Sequence, residues 1–255
     1  MSKKSLRLSV IIPVKNEGIN VTIMLKILNA ALSCTHEILV ISDSPQDETI
    51  AAVHTLAKTY PSIQSIINTK GKGVKNAITT GVQAAQGDYI LIFAADEVGP
   101  VLAVDDMMHL MDQGCDLVSC TRYAHGGRRL GGSFIGGILS KAANKLLYTF
   151  SLCAFTDATT GIKMFKKSMF QEITLTSRPI GWVALYELAL KAQYQGFILG
   201  EVPIISIDRL YGGTSTFSLN PWLWEYLKWF FWGIKHLSRK KITKPLIKIP
   251  QATAW

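Results

Sequence analysis

The chain has 255 residues, of which 48% are apolar, and a formal net charge of +9. Length and composition exclude a disordered chain and suit one α/β domain, alone or with an appendage, large enough to bury a full core. The positive charge calls for an anionic partner, with nucleic acid, a nucleotide, a phospholipid and an anionic membrane surface all in play at this point. Four cysteines (Cys34, Cys115, Cys120, Cys153) show no CxxC or zinc-like spacing and read as reduced core thiols of a cytosolic protein. The basic start MSKKSLRLSVIIPV has a short apolar run that ends at Pro13 and Lys15 without a small-residue cleavage pattern, so it reads as a first strand and not as a signal peptide.

Apolar runs and helical periodicities alternate from the start. Residues 8–14 read as a strand, 19–32 as a helix, 36–41 as a strand and 47–60 as a helix with Ile50, Val53, Leu56, Ala57 and Tyr60 near one face. Residues 63–68 are a third strand. Residues 73–86 form a helix whose Val74, Ala77, Ile78, Gly81, Val82 and Ala85 share a face. The run from Tyr89 to Ala94 is short and apolar without alternation, as in a strand buried on both faces. A helix over 101–113 and a strand over 116–123 follow, and the succession predicts a mostly parallel sheet covered on both sides. Residues 126–137, glycine-rich with Arg128 and Arg129 inside, read as a mobile loop before a helix over 138–151. Beyond lie a strand over 161–165, a helix over 183–195 and a strand over 197–207 interrupted at Pro203.

The last helix is expected to start at Pro221, a favoured first-turn residue. Trp222, Tyr226, Trp229 and Phe230 share one arc, Trp224, Leu227 and Phe231 lie opposite, and Glu225 with Lys228 leaves a narrow polar stripe. Such a helix needs two apolar neighbours. One is the domain; the other is either a lipid interface, which favours Trp and Tyr and would let the six Lys and Arg from Lys235 to Lys248 meet anionic headgroups, or a dimer contact or core. The basic cluster favours the membrane surface. A spanning helix needs about 20 largely apolar residues, which this segment does not supply. Its aromatics cluster with leucines and do not space out as a base-stacking platform, so nucleic acid is not expected as a partner.

In open α/β sheets ligands sit beyond the carboxyl ends of the strands, and acids lie at several such ends here. Pro13-Val-Lys-Asn-Glu17 ends the first strand, Ser42-Asp43 through Asp47-Glu48-Thr49 the second, and Asp96-Glu97 follows the fourth. Each acid has two readings, a contact to a cation, base or ribose, or a turn and helix cap. Gly71-Lys72-Gly73 before a helix offers backbone N–H groups and a cation to a phosphate. No full GxGxxG or Walker sequence is present, which speaks against a dehydrogenase and a P-loop enzyme.

The order LSVIIPVKNE, EILVISDSPQDET, GKGVKNAITTGVQAAQGDYILIFAADE, DLVSCTRYAHGG, DATTGIKMF, GFILGEVPIISIDRLYGGTST, running from about Leu8 to Phe217, resembles the family 2 glycosyltransferases, and within them the polyprenyl-phosphate sugar synthases. The resemblance implies an α/β GT-A fold with a Rossmann-like, mostly parallel sheet in a domain over residues 1–217, followed by an interfacial helix and basic tail over 218–255. It implies an inverting transfer from a nucleotide sugar, of GDP-mannose or UDP-hexose type, to a polyprenyl phosphate, by a protein peripheral on the cytoplasmic face of a membrane. Pro13, Glu17, Asp43 and Asp47 match residues that hold the nucleotide in this family, Asp96 matches the metal-holding acid of its DAD motif, and Lys72 joins the donor side. Arg122 matches the arginine of the family's SRY motif, which together with Arg129 and Ser140 looks like the acceptor-phosphate grip. Arg209 and Ser215 match the RxxGxS stretch that closes over the donor phosphates. Asp157 is either a sugar contact or a turn former.

The chemistry suits these residue types. A phosphate acceptor is already anionic, so the enzyme's task is positioning, for which guanidinium forks are apt, and Arg209 or a divalent ion stabilises charge on the departing nucleotide. The pattern departs from the family at Ala94, Ser42, Val98 and Thr216. Mg or Mn is therefore expected on Asp96 with the diphosphate, helped by Glu97 or Asp43, unless Lys15 or Lys72 replaces part of its charge. Two alternatives stay open: a glycosyltransferase acting on another lipid, and a catalytically impaired nucleotide-sugar-binding membrane protein.

Overall fold

The computed structural model describes residues 6–131, 134–207, 219–238 and 244–249. The strands are β1 (Leu8–Val14), β2 (His36–Ser42), β3 (Ile63–Ile67), β4 (Tyr89–Ile92), β5 (Leu117–Thr121), β6 (Arg128–Leu130), β7 (Lys163–Lys166), β8 (Leu199–Pro203), β9 (Ile205–Ile207) and β10 (Leu246–Ile247). The helices are α1 (Gly18–Ala31), α2 (Glu48–Ala57), α3 (Val74–Ala84), α4 (Val104–Asp112), α5 (Phe134–Ser151), α6 (Lys167–Glu172), α7 (Val183–Gln195) and α8 (Leu219–Leu237). A 3-10 turn, Gly99–Ala103, precedes α4.

Eight strands make one sheet in the order β10-β8-β5-β7-β4-β1-β2-β3. Every neighbouring pair is parallel except those of β7, which is antiparallel to both β4 and β5. The mostly parallel sheet is as expected. The absence of alternation in β1 has a direct cause: Leu8, Val10, Ile12 and Val14 enter one core cluster and Ile11 the other. The first cluster takes Met24, Leu25 and Leu28 of α1, Val53 of α2 and Met107 of α4; the second takes Ala77 and Ile78 of α3 and Leu185 and Leu188 of α7. Both faces are thus dry, and an apolar side chain is favoured at every strand position.

Several elements differ from the sequence reading. The loop over 126–137 contains β6, which pairs with β9 in a separate parallel ribbon, and α5 begins at Phe134. Helix α6 has no counterpart in the reading. The strand after α7 does break at Pro203, into β8 and β9. Helix α8 begins at Leu219, two residues before Pro221, and its inward face carries Trp229 and Leu237, at 2% and 0% exposure. Trp224 and Phe231 lie on its outer side, at 71% and 62%. Glu225 does not stay in a polar stripe: its carboxylate is buried, accepts the Arg178 N–H at 3.1 Å and pairs with Lys228 at 3.0 Å. The described part of the basic tail lies along the sheet edge, with Leu246 and Ile247 paired to Gly200 and Glu201 of β8. No helix among the described residues is long and apolar enough to cross a membrane.

Candidate active site

β1 lies between β4 and β2, where the chain order reverses, and the carboxyl ends of these parallel strands border the crevice that such sheets use for ligands. The Ile11 carbonyl accepts the Phe93 N–H at 3.0 Å, and the β1–β4 register ends at the Ile11–Ile92 pair. Pro13 faces the same edge two residues later, past that pair, so its missing N–H leaves no ladder bond unmade.

Asp47 braces the first two loops. Its carboxylate accepts from the Asn16 N–H at 3.1 Å, the Thr49 N–H at 2.9 Å and the Ser42 hydroxyl at 3.1 Å. Burial alone would raise its pKa, but the donors at Thr49, Asn16 and Ser42 outweigh that and hold it below the ordinary carboxylate value. Asp47 thus caps α2, and the Glu17 N–H reaches Thr49 Oγ1 at 3.0 Å beside it. Asp43 instead crosses to the β3–α3 loop, accepting from Asn68 Nδ2 at 2.6 Å and from the Gly73 N–H at 2.8 Å. The Gly73 amide, expected to face a phosphate, is therefore committed to Asp43, while the neighbouring Lys72 is exposed. Gly73 has φ +114°, and a Cβ there would lie 1.9 Å from the Pro179 carbonyl oxygen, so no other residue fits without displacing that loop.

Beyond β4, Phe93, Ala94 and Ala95 are buried and Asp96 and Glu97 are partly exposed. Ala94, where the resemblance puts the first carboxylate of the DAD motif, packs into the core at 9% exposure. Among the described residues no group of three or more His, Cys, Asp or Glu side chains is placed to hold a metal ion. Divalent ions such as Mg take one or two carboxylates together with waters and substrate phosphates, so this donor set fits an ion only as one shared with a diphosphate.

The residues matched to the acceptor grip converge. Arg122, just past β5, is forked onto the fully buried Asp157, with Nε to Oδ2 at 2.7 Å and Nη2 to Oδ1 at 3.0 Å. Burial opposes both charges, but each is outweighed by its partner: the arginine is held charged well above its usual range and the Asp157 carboxyl is held down. Arg122 Nη2 also donates to Thr159 Oγ1 at 3.3 Å, and Thr159 Oγ1 lies 3.0 Å from Ser140 Oγ on α5. A Cβ on Gly137, three residues before Ser140 on the same helix, would lie 3.1 Å from Arg129 Nη1. Arg122, Arg129 and Ser140 thus gather around the first half of α5. Arg209 and Ser215 lie outside the described residues.

The sequence model described as "Glycosyl transferase family 2" matches residues 9–174, well over half of the chain. The chain belongs to glycosyl transferase family 2. A dolichol-phosphate mannosyltransferase of Pyrococcus furiosus is 27% identical over 232 residues, which cover 88% of this chain and 64% of the relative. The putative glycosyltransferase CsbB of Bacillus subtilis is 29% identical over 143 residues, 55% of this chain and 42% of the relative. The chain thus spans less than two thirds of either. Among solved structures, glucosyl-3-phosphoglycerate synthase of Mycobacterium tuberculosis, in complex with Mn2+, UDP-glucose and phosphoglyceric acid, aligns with a TM-score of 0.68 at 14% identity, covering 90% of this chain and 80% of that one. Mannosyltransferase PcManGT of Pyrobaculum calidifontis, in complex with GDP-Man and Mn2+, aligns with a TM-score of 0.57 at 16% identity, covering 92% and 74%. At such identities the likeness carries the fold, which is GT-A.

Four residues of the site escaped the sequence reading: Asn144, Thr159 and Glu201, and Asp157 in its role as the arginine's partner. Asn144 is a poor helix former inside α5 and Glu201 a charge inside an apolar strand, and such misfits are the signal that local pattern offers for a buried polar role.

Proposed function

We propose that this protein transfers a hexose-type sugar from a nucleotide sugar, of GDP-mannose or UDP-hexose type, to a polyprenyl phosphate, with inversion, at the cytoplasmic face of a membrane. The observation that carries the reading is the joining of Arg122 and Ser140 through Thr159, with Arg129 over the same helix: two guanidinium groups and a hydroxyl suit a phosphate monoester. Such an acceptor is ionised near neutral pH, so its oxygen attacks the anomeric carbon without a protein base, and fixing it in line is the main catalytic contribution. Pro13, Glu17, Asp43 and Lys72 are the donor side in this reading, with Arg209 and Ser215 from the resemblance and Asp47 bracing the loop that carries Glu17. Asp96 would hold Mg or Mn jointly with the diphosphate, and the ion when bound would offset charge on the departing nucleotide.

Membrane attachment rests on α8 and its neighbour α5, which pack together. Their outer sides expose Trp224, Phe231, Ile138 and Phe150, beside Lys141, Lys145, Lys228 and Lys235. Apolar side chains ringed by cations suit an anionic interface. We take residues 1–217 as the catalytic domain and 218–255 as its attachment segment.

The test is a panel of GDP-mannose, UDP-glucose and UDP-N-acetylglucosamine, each with undecaprenyl phosphate, dolichyl phosphate or diacylglycerol. Lipid-linked product with one donor and a polyprenyl phosphate is expected. Product with diacylglycerol alone, or with no lipid, would overturn the reading.

A further inference from the structure

The Arg122 side chain rests on a turn, residues 156–159, that is held from two sides. From β8, Glu201 Oε1 accepts the Thr156 N–H at 2.9 Å and the Asp157 N–H at 3.3 Å, and Oε2 accepts the Thr156 hydroxyl at 2.9 Å. From α5, Asn144 Oδ1 accepts the Ala158 N–H at 3.0 Å, while its Nδ2 donates to Asp157 Oδ1 at 3.2 Å and Thr159 Oγ1 at 2.8 Å. Both residues are buried, Glu201 at 0% and Asn144 at 2% exposure.

A carboxylate in such a place is costly. Among the described residues its ion-pair partner is His125, whose Nε2 lies at 3.9 Å, beyond hydrogen-bond reach. An apolar side chain of similar volume would fill the space without that cost, and what it would forfeit is the set of donors on this turn. We propose that Glu201 and Asn144 are positioning residues that fix the plane of the Arg122 guanidinium toward the acceptor phosphate, a proposal that rests on the acceptor reading above. Glu201 fixes the backbone at Thr156 and Asp157, and Asn144 holds the Asp157 carboxylate and the Thr159 hydroxyl. Asp157 then fixes Nε and Nη2 of Arg122. With Nε and Nη2 taken by Asp157 and Thr159, Nη1 is the edge of the guanidinium that would meet the phosphate, and its direction depends on that plane; a small misplacement of a positioning group costs rate far out of proportion to its size.

Steady-state kinetics with the wild type's preferred donor and polyprenyl phosphate test the proposal. Glu201→Ala should raise the acceptor KM about tenfold and leave the donor KM within about twofold. Glu201→Gln should restore the acceptor KM, because its amide oxygen can accept both backbone N–H groups while its NH2 donates to the Thr156 hydroxyl. Equal shifts in both KM values, or no shift in either, would overturn the proposal. If Glu201→Ala does not fold, Thr156→Val removes a single hydroxyl and should raise the acceptor KM about threefold, and an unchanged value overturns the proposal in the same way. A second readout needs no transfer: the Arg122 Nε–H resonance, assigned by its loss in Arg122→Lys, should exchange slowly with solvent in the wild type and in Glu201→Gln and faster in Glu201→Ala. Unchanged exchange in Glu201→Ala overturns the positioning role. Faster exchange in a protein that transfers nothing to any polyprenyl phosphate supports the positioning of Arg122 and overturns the acceptor reading alone.

Discussion

The Ser42 hydroxyl donates to Asp47 Oδ2 at 3.1 Å, with Ser42 at 0% and Asp47 at 8% exposure. The family resemblance puts an aspartate at position 42, and in this chain the serine supplies a donor that the neighbouring carboxylate uses. Ser42→Asp would bring a second carboxylate against Asp47 where solvent cannot screen it. The variant should lose about 3 kcal/mol or more of stability at pH 7, read by chemical denaturation. Part of the loss should return on acidification, as one of the two carboxyls takes a proton. Stability equal to the wild type at pH 7 would show that the loop has room for both acids.

Glu201 has a pH signature that can be read without any substrate. Burial pushes its pKa from 4.5 up to about 7, against the opposing hydrogen bonds from Thr156 and Asp157, and among the described residues Asp157, Lys163, His125, Cys120 and Cys153 are charged or titratable groups that act on it. A folded-state pKa above the unfolded one means that the folded protein holds the extra proton, so the stability from this group is present below about pH 4.5 and is lost as pH rises through about 7. Glu201→Gln removes the titration. Its stability relative to the wild type should therefore grow as pH rises from about 5 to about 8. Parallel stability curves for the two proteins across that window would mean that Glu201 titrates normally.

The fold was legible because its main determinants are local and periodic. The apolar run of β4 and the helical face of α3 each announce their element, and Pro203 marks the break between β8 and β9. What the sequence concealed depends on pairings between distant residues. Arg128–Leu130 is a strand only because Ile205–Ile207 lies beside it, and α6 is too short for periodicity to register. In the site, the acids at strand ends were visible as acids, but their partners were not. That Asp43 would take the Gly73 amide, and Asp47 those of Asn16 and Thr49, depends on how two loops fold against each other. Asp157 shows the same limit: DATTG reads as a turn, and its partner lies 35 residues away at Arg122.

Asp96 and Ala94 give a paired prediction on metal use. Asp96→Ala should leave the fold intact, by thermal melt, and reduce transfer by about a hundredfold or more, since the variant loses the carboxylate assigned to the shared ion. Ala94→Asp would add a carboxylate at a position only 9% exposed. It should lower the melting temperature and, in the folded fraction, lower the Mn2+ concentration needed for half-maximal rate. Transfer that survives EDTA undiminished in the wild type would remove the ion from the mechanism and turn attention to Lys15 and Lys72 as the charge that replaces it.

Helix α8 allows attachment and packing to be separated, because its two sides carry different residues. Trp229 and Leu237 are core, and replacing either with a polar residue should unfold the region by opening a cavity. Trp224 and Phe231 contribute little to that core, so Trp224→Ser with Phe231→Ser should melt near the wild-type temperature. On the membrane reading the double variant should bind vesicles containing anionic lipid at least about tenfold more weakly, because each aromatic removes buried apolar area worth on the order of 2 kcal/mol. Binding of the wild type should fall as salt rises, with Lys228, Lys235 and the lysines of α5 facing the headgroups. Transfer to a short, water-soluble polyprenyl phosphate should be nearly unaffected, since the two aromatics lie on the outer side of α8 and not at the Arg122–Asp157 pair. Unchanged vesicle binding together with a shift from dimer to monomer in solution would identify the outer face of α8 as a contact between two copies of the chain.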